Sequence, residues 1–168
     1  VAVLALWGSA HLSLPVPGSP VPVTLQTLAV LVAGILLGPR QAVLAVAAYL
    51  VAGALGFPLF AGRAAGLDVL AGPTGGFLIG FLPAAWLAGW WTRSGRAAGL
   101  GAAWLGMVLA HGVVLVSGWA RLAAEIGVTV AWAKGVWPFL VGALVKSLIA
   151  SLLWIALARF RQRSGQRS

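Results

Sequence analysis

The chain is a succession of apolar runs cut by short clusters of glycine, proline and charge. The first run covers residues 2–14. Residues 15–22 then read PVPGSPVP, which no regular helix accommodates. A second run, 23–37, opens on Thr24, Gln26 and Thr27 and stops at Gly38-Pro39-Arg40-Gln41. Pro39 suits the first turn of a third run, 39–56. Further runs cover 75–91, 96–119 and 136–158. They are continuously apolar and do not alternate, which predicts helices and not a barrel. Several are long enough, or nearly so, for a membrane crossing of about 20 residues. Residues 121–134 hold Arg121, Glu125 and Lys134 and predict a short amphipathic helix at the interface. The predicted architecture is an all-α membrane protein with six transmembrane helices. They form a single domain over residues 1–158, followed by a basic, disordered tail, 159–168.

Composition agrees. With 61% of its residues hydrophobic and only 8% charged, the chain cannot cover itself with a water-soluble surface. A net charge of +9 would point to nucleic acid in a soluble protein. Here the basic residues sit at the ends of runs, so no nucleic-acid partner is expected and the charge reports topology. With the N-terminus inside, Arg40, Arg93, Arg96, Arg159, Arg161, Arg163 and Arg167 fall on the cytoplasmic side, and Arg63, Arg121 and Lys134 outside. That bias places both the N- and C-termini in the cytoplasm. Trp90, Trp91, Trp119, Trp132 and Trp137 lie near run ends, as an aromatic belt would. The absence of cysteine excludes disulfides, thiolate metal sites and thiol nucleophiles. The chain opens on Val1, so the first run is read as a clipped helix. Residues 1–10 lack the basic start of a signal peptide.

Candidate chemistry gathers between Phe57 and Phe81. This stretch holds Arg63, the chain's one aspartate, Asp68, and glycines at 62, 66, 72, 75, 76 and 80. Thr74 reads as the N-cap of the fourth helix, with the first-turn amides of Gly75 and Gly76 bare and able to meet an anion or a carbonyl. A plain helix cap behind a flexible loop fits the same spacing. Two ionisable residues fall well inside a run, Lys146 and His111. Counted from Pro138, Lys146 sits about 12 Å along its helix. That is deep for snorkelling, and no helix there carries an acid to pair with it. An exogenous carboxylate is the economical partner. His111 reads more simply as a buried side chain bonded to a carbonyl or a serine on the next helix. Ala5 and Ser9, four apart, form a small-residue pair that serves internal packing or a partner helix equally well. No catalytic triad, paired carboxylates, Walker-type phosphate loop or metal cluster is legible, so no enzyme, cofactor or metal is expected. The chain reads as a membrane binder energised by something else.

Three blocks resemble the BioY family, the biotin-specific S components of energy-coupling-factor (ECF) vitamin transporters. They are SPVPVTLQTLAVLVAGILLGPR at residues 19–40, FPLFAG at 57–62 with LAGPTGGFLIGF at 70–81, and WPFLVGALVKSLIASLL at 137–153. The resemblance implies a six-helix S-component fold in the bacterial cell membrane that binds biotin from outside. It also implies partnership with a T component and two ABC ATPase subunits, or solitary, homo-oligomeric work. It implies substrate contacts from Lys146 to the carboxylate, and from Thr74, Gly75, Gly76 and Gln26 to the polar ring. Phe60, Phe77 and Ala143 would line the pocket, and the loop 57–72 would act as a lid. Ala5 and Ser9 match the family's small-residue coupling surface for the T component. Two departures stand out. The family's PFxPGDxxK has Val141 and Ala143 in place of its Pro and Asp, and its GPTGGY ends here at Phe77. A ligand-free scaffold, or an S component for another carboxylated vitamin, is the alternative.

Overall fold

The computed structural model describes residues 1–165, and side chains as far as Phe160. The helices are α1 (Ala2–His11), α2 (Gln26–Leu37), α3 (Pro39–Ala54), α4 (Leu67–Ala71), α5 (Gly75–Arg93), α6 (Leu100–Ile126), α7 (Val128–Gly135) and α8 (Leu140–Gly165). Single 3-10 turns occupy Ala61–Arg63 and Trp137–Phe139. Strands β1 (Ser13–Leu14) and β2 (Val23–Thr24) pair antiparallel, with Ser13 opposite Thr24.

That pairing corrects the start of the second run. The proline-rich segment returns the chain beside β1, so Val23 and Thr24 are extended and α2 begins at Gln26. The fifth run also shifts. Gly99 is extended, α6 starts at Leu100, and it continues past Trp119 to Ile126. Arg121 and Glu125 stand one turn apart on this helix and pair at 2.7 Å. Gly127, at φ +85°, then ends α6 and starts α7. The expected surface helix over 121–134 is therefore split at a residue whose backbone needs glycine. The last helix begins at Leu140, after a turn containing Pro138, and stays helical to Gly165. Thus 158 is not a helix end, and the expected tail lies outside the described residues from 166 onward.

Leu100–Ile126 and Val128–Phe160 are long and apolar enough to cross a membrane; α2 and α3 are shorter apolar helices. The helix α5 packs against α2, α3, α4 and α6. It does so through missing side chains. A Cβ on Gly34 of α2 would lie 2.7 Å from the Ala85 carbonyl oxygen, and one on Gly89 would lie 2.6 Å from the Pro39 nitrogen. Small residues at such crossings let backbones approach directly. Large apolar side chains also cover the outside, among them Leu44, Val51, Val116 and Val141. Facing water they would form an aggregating patch; facing hydrocarbon they lie in a matching solvent. On α1, Leu6 and Ala10 are buried. Ala5 is exposed, and the hydroxyl of half-buried Ser9 donates to the Leu6 carbonyl at 2.8 Å.

Candidate ligand-binding site

One end of the bundle encloses a cavity of about 380 Å³. Its walls come from residues 20–22 of the hairpin, the start of α2, the loop around Phe60, α4, the first turns of α5, the middle of α6, and α8. Most of the lining is apolar, with a few polar groups aimed inward, as in most small-molecule pockets. Lys146, Gln26, Thr74, Phe60, Phe77 and Ala143 all line it. Residues spread over nearly the whole chain thus converge on one space.

The ammonium of Lys146 donates to the Thr24 carbonyl at 2.6 Å and to the Thr27 hydroxyl at 3.2 Å. Both acceptors belong to the strand-to-helix step at β2 and α2. The extended backbone of β2 leaves the Thr24 carbonyl free of a helix, and Lys146 takes it. These partners fix the side chain without cancelling its charge. Among the described residues the one ion pair is Arg121 with Glu125. Asp68 lines the same cavity and does not pair with the lysine.

Gln26 is buried and held at both ends of its amide. Its Nε2 donates to the Tyr49 hydroxyl at 2.5 Å, and its Oε1 accepts from the Thr24 hydroxyl at 3.3 Å. The Tyr49 hydroxyl in turn donates a hydrogen bond to the Leu59 carbonyl at 2.9 Å. A chain of bonds thus runs from the cavity wall through α3 to the loop over the cavity. The ring of Phe60 reinforces it, standing edge-on to Tyr49 at 5.6 Å and filling the space over Gly53. The loop is anchored elsewhere too. The amide of Gly66 donates to the Gly53 carbonyl at 2.8 Å, and Arg121 donates to the Ala71 carbonyl at the end of α4. The flexible loop expected from its glycines is therefore pinned at several points.

Thr74 flanks α5 as expected but does not cap it through its side chain. Its hydroxyl turns back toward the Val69 carbonyl at 3.5 Å, while its own carbonyl accepts from Phe77 and Leu78. Gly75 and Gly76 do not line the cavity. The Gly75 amide is not bare; it donates to the Gly72 carbonyl at 3.1 Å. A side chain on Gly75 would run into the Leu70 backbone, and one on Gly76 into Ser117 and Gly118 of α6. These two glycines sit at close contacts between neighbouring elements, and the Gly75 amide, expected to be bare, is already bonded. Phe77, in contrast, reaches the cavity and lies on Gly118, with Phe139 6.1 Å away. Ala143 presents a methyl group to the cavity from α8.

Two residues carry more than their sequence context suggested. Tyr49 is the chain's one tyrosine, fully buried in an apolar helix, and that isolation was the available signal. His111 lines the cavity, and its Nδ1 lies 2.9 Å from the Ser147 hydroxyl. The simple reading, a serine on the next helix, holds for one nitrogen only.

A family model described as the BioY family matches residues 1–163. The chain is 36% identical over 153 residues to a probable biotin transporter BioY from Pyrococcus horikoshii, covering 91% of this chain and 90% of that protein. It is 36% identical over 156 residues to the biotin transporter BioY of Rhodobacter capsulatus, covering 86% and 82%. It is 34% identical over 157 residues to that of Thermotoga maritima, covering 86% and 85%. The fold matches the crystal structure of the S-component for biotin from an ECF-type ABC transporter, with a TM-score of 0.83 over 94% of this chain and 87% of that one. Sequence identity there is 22%, so this match speaks to fold alone.

Proposed function

The chain belongs to the BioY family, and from that premise we propose that it is the biotin-binding S component of an ECF-type vitamin transporter. It is a transport protein and not an enzyme. The observation that carries the reading is the cavity of about 380 Å³ with the Lys146 ammonium on its apolar wall. Biotin offers a carboxylate at one end, a saturated chain, and a cyclic urea at the other. Lys146 pairs with the carboxylate. Gln26 and Thr74 meet the polar ring, and Phe60, Phe77 and Ala143 cover the apolar parts. The loop over residues 57–72 acts as the lid.

The test is equilibrium binding of radiolabelled biotin to purified protein, with displacement by unlabelled biotin. Saturable, displaceable binding is expected. No saturable binding would favour a ligand-free scaffold. Stronger displacement by another carboxylated vitamin would assign the cavity to that compound. The second outcome has a specific motive, because Ala143 stands where the family pattern carries an acid.

In this reading α1, α2, α3, α5, α6 and α8 cross a bacterial cell membrane, and both termini lie in the cytoplasm. The cavity then opens outward. The Ala5 and Ser9 face of α1 meets a T component, which carries two ABC ATPase subunits; solitary transport is the alternative. Arg63 lies exposed on the lid, and Arg93 at the other end of α5. A membrane-impermeant thiol reagent applied to intact cells is expected to label an Arg63→Cys variant and spare Arg93→Cys. The chain's lack of cysteine makes the background clean. The reverse pattern would invert the topology and close the cavity to external biotin.

A further inference from the structure

The floor of the cavity holds a polar atom with no partner. His111 is 3% exposed, and its Nε2 is, among the described residues, the one buried side-chain nitrogen or oxygen without a hydrogen bond. Leaving such a group unpaired is costly, so an orphan of this kind calls for an explanation. Position supplies one. The helices α5 and α6 run antiparallel, with Gly76 against Gly118 and Gly80 against Val114. His111 lies seven residues beyond Gly118 on α6, about 10 Å further along the axis. It is the deepest α6 residue that lines the cavity.

The ring does not turn freely. Its Nδ1 is tied to the Ser147 hydroxyl at 2.9 Å. Ser147 is itself fully buried, and its carbonyl accepts the Ser151 hydroxyl at 2.6 Å. The helix α8 thus holds the imidazole from behind by one nitrogen and leaves the other unspent. Such an arrangement positions a hydrogen-bonding group; it does not merely fill space.

We infer that His111 Nε2 is a specificity contact for the bound ligand, hydrogen-bonding its cyclic urea at the floor of the cavity. A serine hydroxyl can donate or accept, so the bond to Ser147 by itself is compatible with either ring tautomer; the Met107 carbonyl one turn earlier, which also bonds the ring, favours the proton on Nδ1. A urea matches both, since its carbonyl accepts and its N–H groups donate. A carboxylate matches only the tautomer that carries the proton on Nε2, and in this site it already has Lys146. The inference rests on the biotin reading of the same cavity.

Two amide variants separate the two nitrogens. The side chain of His111→Asn reaches about as far as Nδ1 and keeps a partner for Ser147, whereas that of His111→Gln reaches toward the Nε2 position. Binding of radiolabelled biotin, binding of biotin methyl ester by competition, and thermal unfolding in detergent are measured for both and for the wild type. The expected result for His111→Asn is a tenfold or greater loss of affinity, equal for acid and ester, with near-native thermal stability. His111→Gln is expected to recover part of that loss. Native affinity in His111→Asn would overturn the inference, and so would a loss confined to the acid. If His111→Gln binds no better than His111→Asn, the contact through Nε2 is likewise refuted. Failure of the wild type to bind biotin at all is a different result, and it refutes the biotin reading itself.

Discussion

Lys146→Met lowers the affinity for biotin by tenfold or more and leaves the methyl ester nearly untouched. This is the expected result, because the lysine enters the cavity with capacity to spare. An ammonium has three donors. Two are taken by the Thr24 carbonyl and the Thr27 hydroxyl, which are neutral. A hydrogen bond between charged groups contributes about 1.5–3 kcal/mol, and each 1.4 kcal/mol is about a factor of ten in affinity. Methionine keeps the length and apolar bulk of the side chain and removes the charge. Two effects then oppose each other in the unliganded protein. The variant no longer holds an unbalanced charge beside an apolar cavity, which is favourable. It also strips the donor from the Thr24 carbonyl, which is unfavourable. Thermal stability should therefore move little, in contrast to the gain that a partnerless lysine would give. Acid and ester are measured side by side by competition. Equal losses for the two would mean that Lys146 acts by bracing α8 against α2 and does not read the carboxylate.

The contrast between Lys146 and its acceptors shows what the sequence could convey. A cation that deep in an apolar run, with no acid in any neighbouring run, is visible by counting. Its partners are not. They exist because PVPGSPVP folds back and pairs Thr24 with Ser13, which holds a backbone carbonyl out of helix and within reach. That event depends on two segments meeting, and no local spacing encodes it. The helices were legible where the pattern has hard stops, at Gly38-Pro39 and at Pro73-Thr74. They were misjudged where a pattern fades gradually, as at the far end of α6, where the mixed-charge stretch is divided at Gly127: Arg121 and Glu125 continue α6 as an i, i+4 ion pair and Lys134 falls on α7. Gln26, Thr74, Phe60, Phe77 and Ala143 were found through their blocks and do line the cavity. His111 bonds a serine on α8 as expected, but imidazole has two nitrogens, and which of them is left over depends on the packed chain. Gly75 and Gly76 lie outside the cavity lining, against neighbouring backbone. Glycine at a helix start admits a ligand or a neighbouring backbone, and only the packed chain decides which.

That last distinction yields the second large effect. Gly76→Val should damage the fold first, and binding only in consequence. A Cβ at Gly76 would stand 2.5 Å from the Ser117 carbonyl oxygen and 3.1 Å from the Gly118 Cα. Both are backbone atoms of α6, so no side-chain rotation relieves the overlap. The two helices must separate, and the bed on which Phe77 lies, at Gly118, moves with them. Overpacking of this kind costs about 1–3 kcal/mol, occasionally more. For a chain of this size that is roughly 2–4 °C of Tm per kcal/mol, together with a lower yield of monodisperse protein. Gly142→Ala is the matched control, because a Cβ there meets open space inside α8. Gly142 is the third residue of α8, in its first turn, so this change should leave the Tm near or slightly above that of the wild type. Thermal unfolding in detergent and the stoichiometry of biotin binding per folded molecule decide the matter. In Gly76→Val the Tm should fall, and the sites per folded molecule should remain near those of the wild type. A variant with native Tm and a selective loss of biotin affinity would show instead that Gly76 approaches the ligand, and that the tight crossing of α5 and α6 tolerates a side chain.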